Sequence, residues 1–246
     1  MELKGKVALV TGSATGIGRA IAINLAKQGV HVIVNYSRSK KEAEETASLV
    51  RSYGVNCLVY QATVASDEQV RAMVDATIKK FERLDILINN AGTTTFIPHD
   101  DLEGLKEEHW DTVMDVNVKG LFFTCRAAAE ELKKNKGCIV NVTSVAGLTG
   151  GGSSIAYSAS KAAAVSVTKS LARVFAPEVR VNGVAPGVVM TRWMDGHEQF
   201  AKKHSKRTPL GRPAYPEDVS EVVMSLITGA SFVTGQTVVV DGGNLI

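Results

Sequence analysis

The segment Thr11-Gly12-Ser13-Ala14-Thr15-Gly16-Ile17-Gly18 follows an apolar run at residues 7–10 and leads directly into a segment with helical spacing. Glycines allow a tight turn and a close approach of the backbone to a ligand, and the start of a helix presents unpaired N–H groups to an anion. A strand, a glycine-rich turn and a helix in this order are typical of a dinucleotide-binding unit. The spacing is Gly-x-x-x-Gly-x-Gly rather than the commoner Gly-x-Gly-x-x-Gly, so a purely structural turn is the alternative. The residues predicted to contact the pyrophosphate are Gly12, Ser13, Thr15, Gly16, Ile17 and Gly18.

Further apolar runs, rich in β-branched residues, recur at residues 31–34, 57–60, 84–88, 138–142, 179–182 and 237–240. Because they are mostly continuous rather than alternating, we expect strands that are covered on both faces. Segments with helical spacing lie between them, and repeated strand–helix–strand units imply a parallel sheet with right-handed crossovers. The sequence therefore predicts an α/β fold in one domain over residues 1–246. It is a doubly wound parallel sheet of about seven strands with helices on both faces, the Rossmann fold.

The composition is that of an ordinary globular protein, with 45% hydrophobic residues, 22% charged residues and a formal net charge of +3. Cys57, Cys125 and Cys138 have neither an even count nor metal-ligand spacing, so we expect reduced thiols in a reducing compartment. The histidines are scattered, and no catalytic metal is expected. No signal-peptide pattern, membrane-length apolar run or basic stripe with interleaved aromatics is present. We expect a cytoplasmic protein that binds neither membranes nor nucleic acid.

The end of the second predicted strand indicates which dinucleotide is preferred. An acidic residue there would bind the ribose hydroxyls of NAD and repel a 2′-phosphate. The sequence instead has Tyr36, Ser37 and Arg38, and an arginine can donate paired hydrogen bonds to a phosphate. These residues predict NADP(H) as the cofactor, with NAD(H) less favoured, and a solvated helix start is the alternative.

Tyr157 and Lys161 are four residues apart at the start of a helical segment, so both lie on one helix face. A free phenol titrates near ~10, and a neighbouring ammonium favours its ionised form. Such a phenol could exchange a proton with a substrate oxygen while hydride moves to or from carbon. Ser144 stands at the end of a predicted strand, where a hydroxyl could hold the same oxygen. A surface pair and a turn serine are the respective alternatives.

These motifs resemble those of the single-domain short-chain dehydrogenases/reductases, and the resemblance covers essentially the whole chain. It also includes Asn89-Asn90-Ala91-Gly92, Asn117 in Asp115-Val116-Asn117-Val118, and Pro186-Gly187. The resemblance implies an oxidoreductase whose catalytic tetrad is Asn117, Ser144, Tyr157 and Lys161. By the same resemblance, Lys161 holds the nicotinamide ribose and lowers the pKa of the phenol, and Asn117 fixes a water in a proton relay.

The resemblance further implies which residues contact the cofactor. Asn90, Ala91 and Gly92 would flank the adenine ribose, and Tyr157 and Lys161 would contact the nicotinamide half. Pro186, Gly187, Val189 and Thr191 would line the nicotinamide and phosphates. The sequence departs from the family pattern in two places. Thr63 replaces the usual adenine-binding Asp, which leaves adenine contacts to Val64 and the backbone, and Thr15 replaces an Arg that many NADPH-using members carry.

Within the family the sequence looks closest to the 3-oxoacyl-acyl-carrier-protein reductases and related carbonyl or sugar reductases. A substrate lid is expected at residues 190–211, with Trp193, Met194, His197 and Phe200. The basic run at residues 202–207 could attract an acidic carrier, but Glu130 and Glu131 stand where carrier-protein reductases tend to be basic. The substrate is therefore a small-molecule or acyl-thioester carbonyl, and the resemblance implies a homotetramer. A non-catalytic dinucleotide sensor is the rival, which the presence of Tyr157 and Lys161 disfavours.

Overall fold

The structure, a computed structural model, describes residues 1–196 and 208–246. In this part of the chain, seven strands form one parallel sheet with the spatial order β3-β2-β1-β4-β5-β6-β7. The strands are β1 (Val7–Val10), β2 (His31–Tyr36), β3 (Cys57–Gln61), β4 (Ile86–Asn89), β5 (Cys138–Val142), β6 (Arg180–Pro186) and β7 (Thr237–Val240). The order reverses between β1 and β4, which opens a crevice at the carboxyl edge of the sheet.

Helices connect the strands. They are α1 (Gly16–Lys27), α2 (Lys40–Arg51), α3 (Asp67–Phe81), α4 (Glu107–Met114), α5 (Gly120–Lys134), α6 (Ala146–Thr149), α7 (Ile155–Phe175) and α8 (Pro216–Thr228). A π-helical turn at Asp115–Lys119 joins α4 to α5, and a 3₁₀ turn at Arg192–Met194 follows β6. Among the described helices, none is both long and apolar enough to cross a lipid bilayer.

Alternate residues of each strand point to opposite faces of the sheet, and both faces are covered. Ala8 and Val10 belong to a core with α1, α2 and α8, whereas Val7 and Leu9 belong to a core with α3, α5 and α7. Because both faces are buried, the strands carry continuous apolar runs instead of alternating ones. The predicted doubly wound α/β sheet is confirmed.

The strand boundaries differ from the sequence predictions by a few residues. β4 begins at Ile86 rather than at residue 84, although Asp85 N still donates to Val7 O at 3.0 Å and Asp85 O accepts from Cys138 N at 2.9 Å. The buried carboxylate of Asp85 accepts a further hydrogen bond from Val7 N at 2.9 Å. Lys6 and Arg83 form ion pairs with the same carboxylate, at 3.1 and 2.8 Å. Polar contacts of this carboxylate therefore add to the backbone hydrogen bonds at the amino edge of the sheet.

Candidate active site

The glycine-rich turn connects β1 to α1 and packs against the chain that follows β4. Gly12 has a φ of +61°, and a Cβ built on it would lie 2.8 Å from Ala91 Cα. A Cβ on Gly18 would lie 2.5 Å from Asn90 Nδ2. Thr15, at the N-cap of α1, makes no side-chain hydrogen bond to the helix. The first-turn N–H groups of α1 therefore have no side-chain cap, and this donor set fits a pyrophosphate.

Side chains from neighbouring strands hold this turn in place. Asn90 Nδ2 donates to the carbonyls of Thr11 and Gly12, each at 3.0 Å. Asn35 Oδ1 accepts from Gly12 N at 3.0 Å. The amide groups of Asn35 and Asn90 are thus used within the chain, and they fix the backbone that a ligand would meet.

The structure corrects the assignment of Ser13 as a cofactor contact. Ser13 is completely buried, and its hydroxyl donates to Val10 O at 2.7 Å and accepts from Asn35 N at 3.1 Å. Its backbone N–H donates to Asn35 O at 2.9 Å. Because these groups form hydrogen bonds inside the glycine-rich turn, Ser13 supports the turn and does not line the site where a pyrophosphate would bind.

The predicted adenosine contacts follow β2 and β3 at the carboxyl edge of the sheet. Ser37 and Arg38 are exposed, whereas Tyr36 is buried. Val64 is buried against Gly120 at the start of α5, where a Cβ on that glycine would lie 2.6 Å from Val64 Cγ2. Thr63 Oγ1 accepts a hydrogen bond of 3.3 Å from Ala65 N. The exposed groups at this end of the crevice are therefore those after β2.

The structure brings Ser144, Tyr157 and Lys161 together at the same edge. Ser144 is the second residue after β5, and its side chain forms a hydrogen bond with the side chain of Tyr157. Lys161 Nζ lies 5.7 Å from the centroid of the Tyr157 ring and donates to Val142 O at 3.0 Å. The hydroxyl of Ser154 accepts from Tyr157 N at 3.2 Å, so it caps α7 where the phenol projects from its first turn.

Burial sets the proton affinities of this cluster. It raises the pKa of the Tyr157 phenol to about 12, and the hydrogen bond with Ser144 opposes this only in part. Burial also lowers the pKa of Lys161 to about 8. Desolvation disfavours the charged form of each group. Burial therefore keeps the Tyr157 phenol protonated in the described site, and the lowering of its pKa by Lys161 stays a prediction.

Asn117 lies in the π-helical turn and is buried. Its Nδ2 donates to Thr93 O at 2.9 Å and to Ser160 Oγ at 3.0 Å, while its Oδ1 accepts from Thr93 N at 2.8 Å. The side chain therefore ties the loop after β4 to α7. Wide helical turns of this kind occur frequently at functional sites.

The segment after β6 forms one wall of the crevice. The Thr191 methyl lies 3.3 Å from the position of a Cβ on Gly16, and the Trp193 ring packs edge-on against Tyr157 at 6.2 Å between centroids. Gly92 is close to this cluster as well, since a Cβ there would lie 3.6 Å from Lys161 Nζ. Of the remaining predicted lid residues, Met194 is half-buried, whereas His197, Phe200 and the basic run at residues 202–207 lie outside the described residues.

Pro186, Gly187 and Val189 are placed by contacts with the sheet. Pro186 ends β6 and its carbonyl accepts from Val145 N at 3.0 Å, one residue beyond Ser144. Gly187 N donates to Val240 O at 3.0 Å, and Val189 is buried and bridges to Ala214. These contacts direct the chain from β6 towards Thr191 and the glycine turn.

Sequence reasoning missed Thr93, Ser154 and Ser160. Ser154 could have been found, because a serine before a helical run is a typical N-cap. Nothing in the sequence pattern marks Thr93 or Ser160, whose partner Asn117 is distant along the chain. Among the described residues, no group of three or more His, Cys, Asp or Glu side chains is arranged to hold a metal ion.

Comparison with known proteins identifies the family. A family model described as enoyl-(acyl carrier protein) reductase matches residues 12–244. A protein described as ketoacyl reductase 2 of the granaticin polyketide synthase, from Streptomyces violaceoruber, is 42% identical over 241 residues, which cover 96% of this chain and 95% of that protein. The chain belongs to the short-chain dehydrogenase/reductase family. It is therefore an oxidoreductase, and this family uses nicotinamide dinucleotides.

Other members of the family give the same result. The 3-oxoacyl-[acyl-carrier-protein] reductase FabG of Staphylococcus aureus is 38% identical over 243 residues, which cover 97% of each chain. A solved structure described as a short-chain dehydrogenase/reductase from Burkholderia xenovorans superposes with a TM-score of 0.93 at 37% identity, covering 98% of each chain. The resemblance inferred from the motifs is confirmed over nearly the full length.

Proposed function

We propose that this protein is an NADP(H)-dependent reductase of 3-oxoacyl thioesters that uses Tyr157 as its proton donor. The observation that carries this proposal is the meeting of Ser144, Tyr157 and Lys161 beside the glycine turn, at the carboxyl edge of the sheet. In the reductive direction, the bound reduced nicotinamide supplies hydride to the carbonyl carbon. Residues 1–196 and 208–246 build the site on one continuous sheet, which supports a single domain over the whole chain.

Each side chain of the site has its own role in binding the substrate, donating the proton or positioning the other groups. Ser144 Oγ and the Tyr157 hydroxyl hold the carbonyl oxygen of the substrate, and Tyr157 donates the proton that converts this oxygen to a hydroxyl. A phenol whose pKa is about 12 retains its proton at neutral pH, which suits a donor. Lys161 orients the nicotinamide ribose through its ammonium, and Asn117 positions α7 through Ser160. Proton donation of this kind contributes about 10²–10⁴-fold to the rate.

NADP(H) is proposed over NAD(H) because no acidic residue follows β2. Ser37 and Arg38 are exposed there, and a guanidinium and a hydroxyl suit a 2′-phosphate. An acidic side chain at this position would instead repel that group. The glycine turn, Asn90–Gly92, Thr191 and the residues after β6 would hold the rest of the dinucleotide.

The relatives described as a ketoacyl reductase and a 3-oxoacyl-[acyl-carrier-protein] reductase support a 3-oxoacyl thioester as substrate. The Trp193 ring, 40% exposed and packed against Tyr157, also offers an apolar surface to an acyl chain. A generic carbonyl reductase is the second candidate. It is favoured by the exposed loop Gly150–Gly152, which carries no bulky side chain beside the site.

We further propose a cytoplasmic homotetramer. Strand β7 lies at the edge of the sheet with Val238 and Val239 37 and 40% exposed, and such an apolar edge is a surface that proteins usually cover. Helix α7 also exposes small residues, among them Ala159 and Ala162, which allow another helix to approach closely. Free, buried Cys57, Cys125 and Cys138 suit a reducing compartment. A monomeric mass in light scattering at micromolar concentration would contradict the assembly.

The substrate and cofactor are tested together by measuring NADPH and NADH consumption with acetoacetyl thioesters, sugars, diketones, quinones and aldehydes. We expect efficient reduction of the 3-oxoacyl thioester with NADPH. Broad activity on small ketones would favour the generic reductase. Equal efficiency with both cofactors, or a preference for NADH, would refute the cofactor assignment.

A further inference from the structure

An arginine that follows β6 reaches across the crevice to the loop that follows β2. Arg192 Nη1 donates a hydrogen bond of 3.1 Å to Ser39 Oγ, although the two residues are 153 positions apart. In the sheet, β1, β4 and β5 lie between the strands that carry these two segments. The Arg192 guanidinium therefore lies beside Ser39, the residue that follows Arg38.

Thr191 and Arg192 contact two different parts of the crevice. Its methyl group packs near Gly16, at the N-terminus of α1, where a pyrophosphate would bind. Arg192 extends beyond that point to Ser39, which precedes α2. These adjacent residues thus contact different elements, Thr191 the start of α1 and Arg192 the residue before α2.

Within the described part of the chain, no carboxylate forms an ion pair with Arg192. There, the arginines that pair with carboxylates are Arg19, Arg71, Arg83, Arg126 and Arg212. The guanidinium of Arg19, which is near α2, already donates hydrogen bonds to other groups. These are the Thr46 hydroxyl, the carbonyls of Ala14 and Glu42, and the Glu45 carboxylate. The partner of Arg192 is a neutral hydroxyl, and Arg192 itself is exposed. Its guanidinium can therefore accept an anionic ligand without first breaking an ion pair.

We infer that Arg192 binds the 2′-phosphate of NADP(H) together with Arg38, so that the segment over the crevice recognises the phosphate that distinguishes the two cofactors. The inference rests on the proposed function. Two guanidiniums can surround a phosphate and donate paired hydrogen bonds to it. Arg192 would also supply the second cation that the glycine turn lacks, since Thr15 stands where an arginine is common in NADPH-using members.

The experiment measures binding of adenosine nucleotides to the full chain by calorimetry, so that no turnover is needed. The probes are 2′,5′-ADP, which carries the 2′-phosphate, and 5′-AMP and 5′-ADP, which lack it. The variants are Arg192→Ala and Arg38→Ala. Arg51→Ala, at the opposite end of α2, removes the same charge from an exposed site and serves as the matched control.

We expect Arg192→Ala to weaken 2′,5′-ADP binding about ten- to a hundred-fold, as for hydrogen bonds to a charged group, with 5′-AMP and 5′-ADP little changed. Arg51→Ala should bind all three nucleotides as the wild type does. An equal loss for 5′-ADP and 2′,5′-ADP would overturn the inference and place Arg192 at the pyrophosphate. Unchanged 2′,5′-ADP affinity in Arg192→Ala would also overturn it, while a wild-type preference for NADPH over NADH would leave the proposed function intact. A wild type that binds NADH as well as NADPH would refute both.

Discussion

The side-chain amide of Asn117 donates a hydrogen bond of 3.0 Å to Ser160 Oγ, which joins the π-helical turn to the helix that carries Tyr157 and Lys161. Ser160 Oγ also donates to the Tyr157 carbonyl at 2.7 Å. One hydroxyl thus links the predicted relay residue to the backbone of the predicted proton donor. We propose that Asn117 and Ser160 act as positioning residues for the phenol.

Replacing Ser160 with Ala tests this link. We expect kcat to fall about ten- to a hundred-fold, because a small displacement of a reacting group has effects of this size, while the Kd for NADPH changes little. Ser166→Ala, at an exposed position of the same helix, is the control. Steady-state kinetics and NADPH titration separate the two effects, and an unchanged kcat would show that the link is only structural.

We expect Lys161 to make the proposed binding of NADPH depend on pH. Burial lowers the pKa of this ammonium to about 8, so the charge that would hold the nicotinamide ribose is lost as the pH rises through that value. We expect NADPH binding, followed by fluorescence between about pH 7 and about pH 10, to weaken with an apparent pKa near the same value. Lys161→Met should bind weakly and lack this transition, whereas Lys169→Met should retain it. A wild-type affinity that is constant over the whole range would contradict the assignment.

Asp85 is expected to stabilise the amino edge of the sheet. Burial alone would raise its pKa, but hydrogen bonds from Arg83, Val7 N and Lys6 outweigh burial and lower the pKa below 3.8. A carboxylate with a lowered pKa stabilises the fold above its unfolded pKa, and this contribution is lost as the pH falls through the folded value. Asp85→Ala should therefore lower the free energy of unfolding by about 1–3 kcal/mol at neutral pH, since it leaves Val7 N unpaired.

Urea unfolding at several pH values measures this effect. The difference between wild type and Asp85→Ala should shrink in acid, where the carboxylate is protonated. Asp75→Ala, at an exposed position of α3, should differ little from the wild type throughout. A difference for Asp85→Ala that persists unchanged at low pH would show that its charge is not what stabilises the edge.

Gly147 allows α6 to pack directly against the backbone of α7 beside Lys161. A Cβ on Gly147 would lie 2.4 Å from the Lys161 carbonyl carbon, which cannot move without moving the helix. We expect Gly147→Ala to destabilise the protein by about 1–3 kcal/mol or more, as overpacking does, and to lower activity as well. Gly151→Ala is the matched control, because a Cβ there would meet only Thr149 Oγ1, at 3.5 Å. Equal melting temperatures for the two variants would rule out this close packing.

Much of this arrangement could be predicted from the sequence because its signals are local. Continuous β-branched runs predict buried parallel strands, and the glycine turn after Val10 marks the crevice. The prediction that Tyr157 and Lys161 lie on one face of a helix also agrees with the structure. Asn117 could be named only through the family resemblance, since nothing in its surroundings distinguishes it from any other helical residue.

The remaining features depend on contacts between distant parts of the chain. Ser13 looks like a phosphate contact in the sequence, yet the position of Asn35 on β2 turns it into a buried support. The reach of Arg192 to Ser39 depends on the path of the chain after β6. The raised pKa of Tyr157 depends on how deeply the folded chain buries the phenol. Local patterns contain none of this information.

Proton donation by Tyr157 is tested most directly by single-turnover reduction. Enzyme in excess over NADPH is mixed with an excess of a 3-oxoacyl thioester, and the loss of NADPH fluorescence is followed in wild type, Tyr157→Phe and the exposed control Tyr53→Phe. We expect Tyr157→Phe to slow this step by about 10²–10⁴-fold while it binds NADPH as the wild type does, and Tyr53→Phe to react normally. A Tyr157→Phe variant that reduces the thioester at the wild-type rate would contradict this mechanism.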